Sequence, residues 1–129
     1  MIERIKSNPD KYSHTVKGWV EFGTDKRYYF RSGWEMKYAT FLEMLKKGKA
    51  IKDWTYEEDT FWFEKIKRGV RSYTPDFKIY FNGGKHEYHE VKGWMDSKSK
   101  TKLKRMKKYH PEETVTVIDQ KAMKDAGLI

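Results

Sequence analysis

The chain has 129 residues, enough for one well-buried core and too few for two independent domains. Its 28 Lys and Arg outnumber 19 Asp and Glu, giving a formal charge of +9, and 16% of residues are aromatic, a balance that favours a polyanionic partner such as nucleic acid. Without cysteine it has no disulfides or thiolate metal sites, and no apolar run approaches the ~20 residues a membrane helix needs.

Residues 1–15 contain Ser7-Asn8-Pro9-Asp10 and hold no sustained period, so they read as an arm. The start, Met1-Ile2-Glu3-Arg4-Ile5-Lys6, is too polar for a secretory signal, and a soluble, cytoplasmic protein with no membrane partner is expected. Val16 to Phe22 and Arg27 to Phe30 flank Gly23-Thr24-Asp25-Lys26, which predicts a hairpin. Arm and hairpin, about 1–31, lead into the rest of a single domain spanning 1–129.

A helix is predicted over 33–47, because Trp34, Tyr38, Phe41, Leu42 and Leu45 recur at helical spacing. Ser32 is its natural N-cap, and Gly48 its stop. Ile51 to Phe63 reads as one or two strands, around Trp54-Thr55-Tyr56 and Thr60-Phe61-Trp62-Phe63. Two further strands, Tyr73 to Phe81 and Lys85 to Lys92, are separated by Asn82-Gly83-Gly84, a tight-turn signal. After Gly93, Asp96 or Ser97 can cap a helix running to about Tyr109, with Pro111 beyond it. Ser99, Leu103, Met106 and His110 form its thin packing stripe. Thr114 to Ile118 is a last strand, and the tail from Gln120 a short helix. The expected fold is α/β: a small mixed sheet flanked by helices.

The chemistry concentrates on the hairpin around Asn82-Gly83-Gly84. Side chains alternate along a strand, so Glu90 and Lys92 share a face with Tyr88 and His86, while Asp76 shares one with Lys78 and Tyr80. The hairpin can bring Asp76 near Glu90 with Lys92 beside them. Two carboxylates and an ammonium suit a hard divalent cation and phosphodiester hydrolysis, with Mg²⁺ or Mn²⁺ favoured over zinc. The backbone carbonyl of Val91, between two site residues, is a further candidate ligand. A third acid, Glu35, lies in the first turn of the first helix. Ser32-Gly33-Trp34-Glu35 is equally a capping box, in which Glu35 bonds back to the Ser32 amide.

Three segments carry a resemblance: Phe30-Arg31-Ser32-Gly33-Trp34-Glu35, Tyr73-Thr74-Pro75-Asp76-Phe77 and Glu90-Val91-Lys92-Gly93. In this order they resemble the motifs of phage endonuclease I, a Holliday-junction resolvase family of the PD-(D/E)xK nuclease superfamily. The similarity extends through Ser97, Lys102 and His110-Pro111 to Val115–Ile118, covering roughly residues 30–118. It implies a restriction-endonuclease-like fold, metal-binding Glu35, Asp76 and Glu90, a catalytic Lys92, and products with a 5′-phosphate and a 3′-hydroxyl. It also implies a homodimer, since such enzymes intertwine. Residues 1–29 have no counterpart in it, and the long C-terminal extension of that family is missing from this sequence.

The remaining candidates are weighed against plain structural roles. His86 and His89 fall three apart in a strand and so face opposite sides, which excludes a metal pair; His86 shares the Glu90 face and could touch DNA. The helix bearing Lys98, Lys100, Lys102 and Arg105 is either a solvated face or a phosphate tracker. Lys67, Arg68 and Arg71 form a second basic cluster, and Arg31 a further DNA contact within the first motif. Core packing is expected for most of Trp19, Trp54, Trp62 and Trp94, with Trp94 the one best placed to stack on a base. Asp53, Glu57, Glu58 and Asp59 read as a solvated strand end. The expected activity is a Mg²⁺-dependent, structure-selective DNA endonuclease. Its rivals are a nuclease of the same superfamily acting on flaps, single strands or nicked duplex, and a non-catalytic basic DNA-binding module.

Overall fold

The computed structural model describes residues 18–129; the proposed arm, with Val16 and Lys17 of the first strand, lies outside them. The described chain runs β1 (Gly18–Phe22), β2 (Lys26–Phe30), α1 (Gly33–Lys47), β3 (Asp53–Tyr56), β4 (Phe61–Trp62), β5 (Ser72–Tyr73), β6 (Phe77–Tyr80), β7 (His86–Val91), α2 (Ser97–Tyr109), β8 (Val115–Ile118) and α3 (Gln120–Asp125). Four strands form a mixed sheet in the order β3-β6-β7-β8. β6 pairs antiparallel with both β3 and β7, whereas β8 runs parallel to β7, a pairing that needs a crossover, which α2 provides. β1–β2 and β4–β5 are separate two-stranded antiparallel ribbons.

Alternation along the central strands decides which face meets the core. Trp54, Tyr56, Phe77 and Ile79 are buried on one face, and β1–β2 and α1 pack over it. The rings there interlock: Phe22 meets Trp54 edge-on at 5.1 Å, and Phe30 meets Tyr56 at 4.6 Å between centroids. His89 lies on this face too, against Tyr38 of α1. The opposite face carries Thr55, Lys78, Tyr80, His86 and Tyr88. The segment after β3 folds back across it, so that Asp59 accepts from Lys78 and Tyr88, and Glu58 from Thr55 and Tyr80. A second, smaller core joins β4–β5 to α2 through Phe63, Tyr73 and Met106.

These contacts correct several expectations. The acidic stretch is solvated as expected at Glu57 and Glu58, which are exposed, but it is also paired: Asp53 meets Lys26 at 2.7 Å and Lys46 at 3.2 Å, and Lys78 holds Asp59 at 2.8 Å. The stretch predicted as one strand over Tyr73 to Phe81 is two, broken at Thr74-Pro75-Asp76. Proline offers no N–H to a ladder, so β5 pairs with β4 before it and β6 joins the main sheet after it. Buried Met36, Ala39 and Glu43 widen the α1 stripe, while Trp34, Phe41 and Leu45 sit at its borders; Glu43 is tolerated because it accepts the buried Trp54 indole N–H at 2.9 Å. Core packing was expected for most of Trp19, Trp54, Trp62 and Trp94, and only Trp54 is in the core. Trp19, Trp62 and Trp94 are 51%, 65% and 76% exposed.

The helix boundaries follow local chemistry. Ser32 Oγ accepts the Glu35 N–H at 3.1 Å, and Asp96 accepts the Ser99 N–H at 2.7 Å, so each places a side-chain acceptor at a helix start. At the end of α1 the left-handed residue is Lys49, at φ 64°, rather than Gly48. The β6–β7 turn closes with Phe81 N–H to Lys85 O at 2.8 Å, and Gly84 supplies the φ of 87° that the turn requires. Substituting Ser32→Ala should lower unfolding free energy by about 1 kcal/mol, read as a reduced urea midpoint with an unchanged slope.

Candidate active site

One cleft of about 1130 Å³ collects the residues singled out from three distant motifs. Glu35 enters from the first turn of α1, Asp76 from the bend before β6, and Glu90, Val91 and Lys92 from the end of β7. The β6–β7 register pairs Phe77 with His89, so its continuation sets Asp76 opposite Glu90. Lys92 follows β7, where its N–H bonds to Ile118 O at 3.0 Å and anchors the segment to β8.

Protein donors orient each acid. Asp76 is 4% exposed and takes the Val91 N–H on Oδ2 at 2.8 Å. Glu90 Oε1 accepts the Tyr73 hydroxyl at 2.7 Å and the Asp76 N–H at 3.3 Å. Glu35 Oε1 accepts the Tyr56 hydroxyl at 2.9 Å and the Arg31 N–H at 3.1 Å. The capping box therefore closes one residue early, on the Arg31 amide rather than that of Ser32. In all three acids the hydrogen bonds fall on a single oxygen. Among the described residues no buried side-chain oxygen or nitrogen lacks a partner, so the second oxygens are open to the cleft. The arrangement is a set of oriented hard donors rather than a closed cage: among the described residues no three His, Cys, Asp or Glu side chains are grouped so as to hold an ion as they stand.

Electrostatics agree with the crowding. Burial pushes the Asp76 carboxyl well above the usual carboxylate range, and the charges of Glu90 and Glu35 push it further, against the Val91 N–H and Arg31. Burial also raises Glu90, opposed by Tyr73, the Asp76 amide, Lys92 and Lys102. The Tyr73 and Tyr56 phenols are both driven upward, first by burial and then by the neighbouring carboxylates, so each remains a proton donor to its acid.

The basic candidates divide. Arg31, Lys102 and Trp94 line the cleft, Lys102 with its ammonium 5.9 Å from the Tyr73 ring centre. Lys98 and Lys100 are exposed on α2, and Lys67, Arg68 and Arg71 are exposed outside the cleft. Arg105 instead donates to the Val70 carbonyl, joining α2 to the loop before β5. His86 faces Glu113 and His89 faces Tyr38 and Glu87, so the two do not converge. Sequence reasoning missed three contributors, Tyr56, Tyr73 and Glu57. Alternation in Trp54-Thr55-Tyr56 pointed Tyr56 inward, but nothing local showed which acid its hydroxyl would meet.

No protein-family model matches the chain, and no curated protein matches it. The site is therefore read from its geometry and from the motif resemblance.

Two measurements probe this arrangement. A Cβ built on Gly93 falls 2.8 Å from the Trp34 ring, so Gly93→Ala should cost about 1–3 kcal/mol through overpacking, seen as a lowered denaturant midpoint. Asp76 has its folded pKa raised, so the folded state binds the extra proton and gains stability that is fully present below the unfolded carboxylate range. That stability is lost as pH rises through the folded value. Asp76→Asn should accordingly raise the melting temperature at neutral pH, with the gain shrinking on acidification; an equal gain at every pH would contradict this account of the charge.

Proposed function

We propose that the protein is a Mg²⁺-dependent, structure-selective DNA endonuclease with a restriction-endonuclease-like fold, cutting branched DNA in the manner of a phage-type Holliday-junction resolvase. The observation that supports this most is the convergence of Glu35, Asp76, Glu90 and Lys92 on one cleft that also holds Arg31, Lys102 and Trp94. A ligand-only reading gives no reason to bury Asp76 between two like charges.

The donor set fits a hard cation. Asp76 and Glu90, with Glu35 and the Val91 carbonyl, would hold Mg²⁺, for which Mn²⁺ would substitute. Such an ion supplies an activated water and neutralises charge developing on the phosphoryl oxygens. The chain's own residues do the rest. Tyr73 and the Asp76 amide fix the Glu90 carboxylate, and Tyr56 and the Arg31 amide fix that of Glu35. Lys92 brings a cation beside Glu90, where it can steady a negatively charged transition state. Lys102 and the exposed Lys98 and Lys100 offer sequence-independent phosphate contacts. Trp94, exposed at the cleft, offers a ring for an unpaired base.

Resolving a four-way junction symmetrically takes two cuts, so the working species is proposed to be a homodimer acting in the cytoplasm, that of the host cell if the protein is phage-encoded. Among the described residues no helix is long and apolar enough to cross a membrane.

Labelled four-way junction, flap, single-strand and linear duplex DNAs, each with Mg²⁺ or EDTA, test the proposal. Junction cleavage should require Mg²⁺, and Asp76→Asn and Lys92→Ala should each lower it by about a hundredfold or more. Preferential cutting of flaps or single strands would reassign the substrate. Tight DNA binding with no cleavage under any metal would leave a non-catalytic binding module.

A further inference from the structure

Arg31 is held in the acidic cluster from three sides. Its backbone N–H bonds to Glu35 Oε1 at 3.1 Å. Its guanidinium Nη2 pairs with Glu57 Oε2, and the same nitrogen lies 3.9 Å from Asp76 Oδ1, the Asp76 oxygen that carries no hydrogen bond among the described residues. Glu57 reaches this position from a left-handed backbone at φ 52°, immediately after β3, with its own N–H bonded to the Asp76 carbonyl at 2.8 Å. A non-glycine residue in that conformation is uncommon and costs free energy. Here it delivers a further carboxylate to the cleft, one that the resemblance does not include.

We propose that Arg31 is a built-in counter-ion that competes with the divalent cation for the acidic cluster, with Glu57 as the residue that holds it there. The inference rests on the nuclease reading and deepens it. The guanidinium side chain is more than half exposed, so it is tethered rather than packed in place and can leave without disturbing the core. It stands beside the open oxygen of Asp76, where a divalent ion would meet its charge directly. With an ion bound there, Arg31 would leave Asp76, and its freed fork would be available to a substrate phosphate in bidentate fashion. Arg31 is thus a positioning residue with two stations, Glu57 without metal and DNA phosphate with it. The exchange keeps a cation beside Asp76 in both states.

Mn²⁺ binding to the full chain, followed by the free-ion electron paramagnetic resonance signal without DNA, separates the possibilities. Arg31→Gln should tighten Mn²⁺ binding by about tenfold, by removing a cation from beside the ligand oxygen. Arg31→Ala should shift it in the same direction, and thermal melts of both variants establish that they are folded. In a second measurement, Ca²⁺ replaces Mg²⁺ so that junction DNA binds without being cut. Wild-type affinity should rise on adding Ca²⁺, and Arg31→Gln should lose most of that rise. Mn²⁺ affinity within twofold of wild type in both variants, with binding still abolished by Asp76→Asn, would overturn the competition alone. Absence of Mn²⁺ binding in the wild type would overturn the nuclease reading as well.

Discussion

The hydrogen bond from Val91 N–H to Asp76 Oδ2 organises the molecule. It joins the bend before β6 to the last residue of β7, and it does so inside the protein, where an ionised carboxylate is expensive to keep. Much of the surrounding structure answers that cost. Pro75 ends the pairing of β5, which lets Asp76 turn inward instead of continuing a ladder. The amide of Asp76 then reaches Glu90, so Glu90 is held by the Asp76 backbone and Asp76 by that of Val91, the next residue along β7. Arg31 brings the nearest opposite charge.

Seen from the cleft, the site is asymmetric in charge. Acids oriented by phenols and amides form its inner part, while Lys92, Lys102 and Arg31 stand among them or at the rim. The phenols matter because burial keeps them protonated, which obliges the carboxylates to act as acceptors and leaves their other oxygens pointing outward. Such an arrangement suits a ligand that brings both cation and anion, as a metal–phosphate assembly does. A simple polyanion would meet acids at the bottom of the pocket and be repelled.

How much of this was legible in the amino-acid order depends on range. Helices α1 and α2 were readable to within a residue, because their caps, Ser32 and Asp96, and their apolar spacing are local signals. The β6–β7 hairpin was readable for the same reason, and with it the shared side of Asp76 and Glu90. The break at Pro75 was missed because β-branched and aromatic neighbours on both sides read as one run; only the choice of different partners, β4 and then β3, shows two strands. Core packing was the default for Trp19 and Trp62 on hydrophobicity alone, yet both are exposed, whereas Trp94, set apart by its closeness to the site, is the most exposed of the three. The positions of Tyr56 and Glu57 depend on how β3 meets β6, a pairing across more than twenty residues that no local pattern encodes.

The Asn82-Gly83-Gly84 turn has a consequence for how the chain reaches this state. It closes a short loop between β6 and β7, and short loops form quickly and at little entropic loss. The repulsive approach of Asp76 to Glu90 is therefore assembled by a local event. Glu35 arrives separately on α1, so the full negative charge need not accumulate until tertiary docking supplies the donors that restrain it.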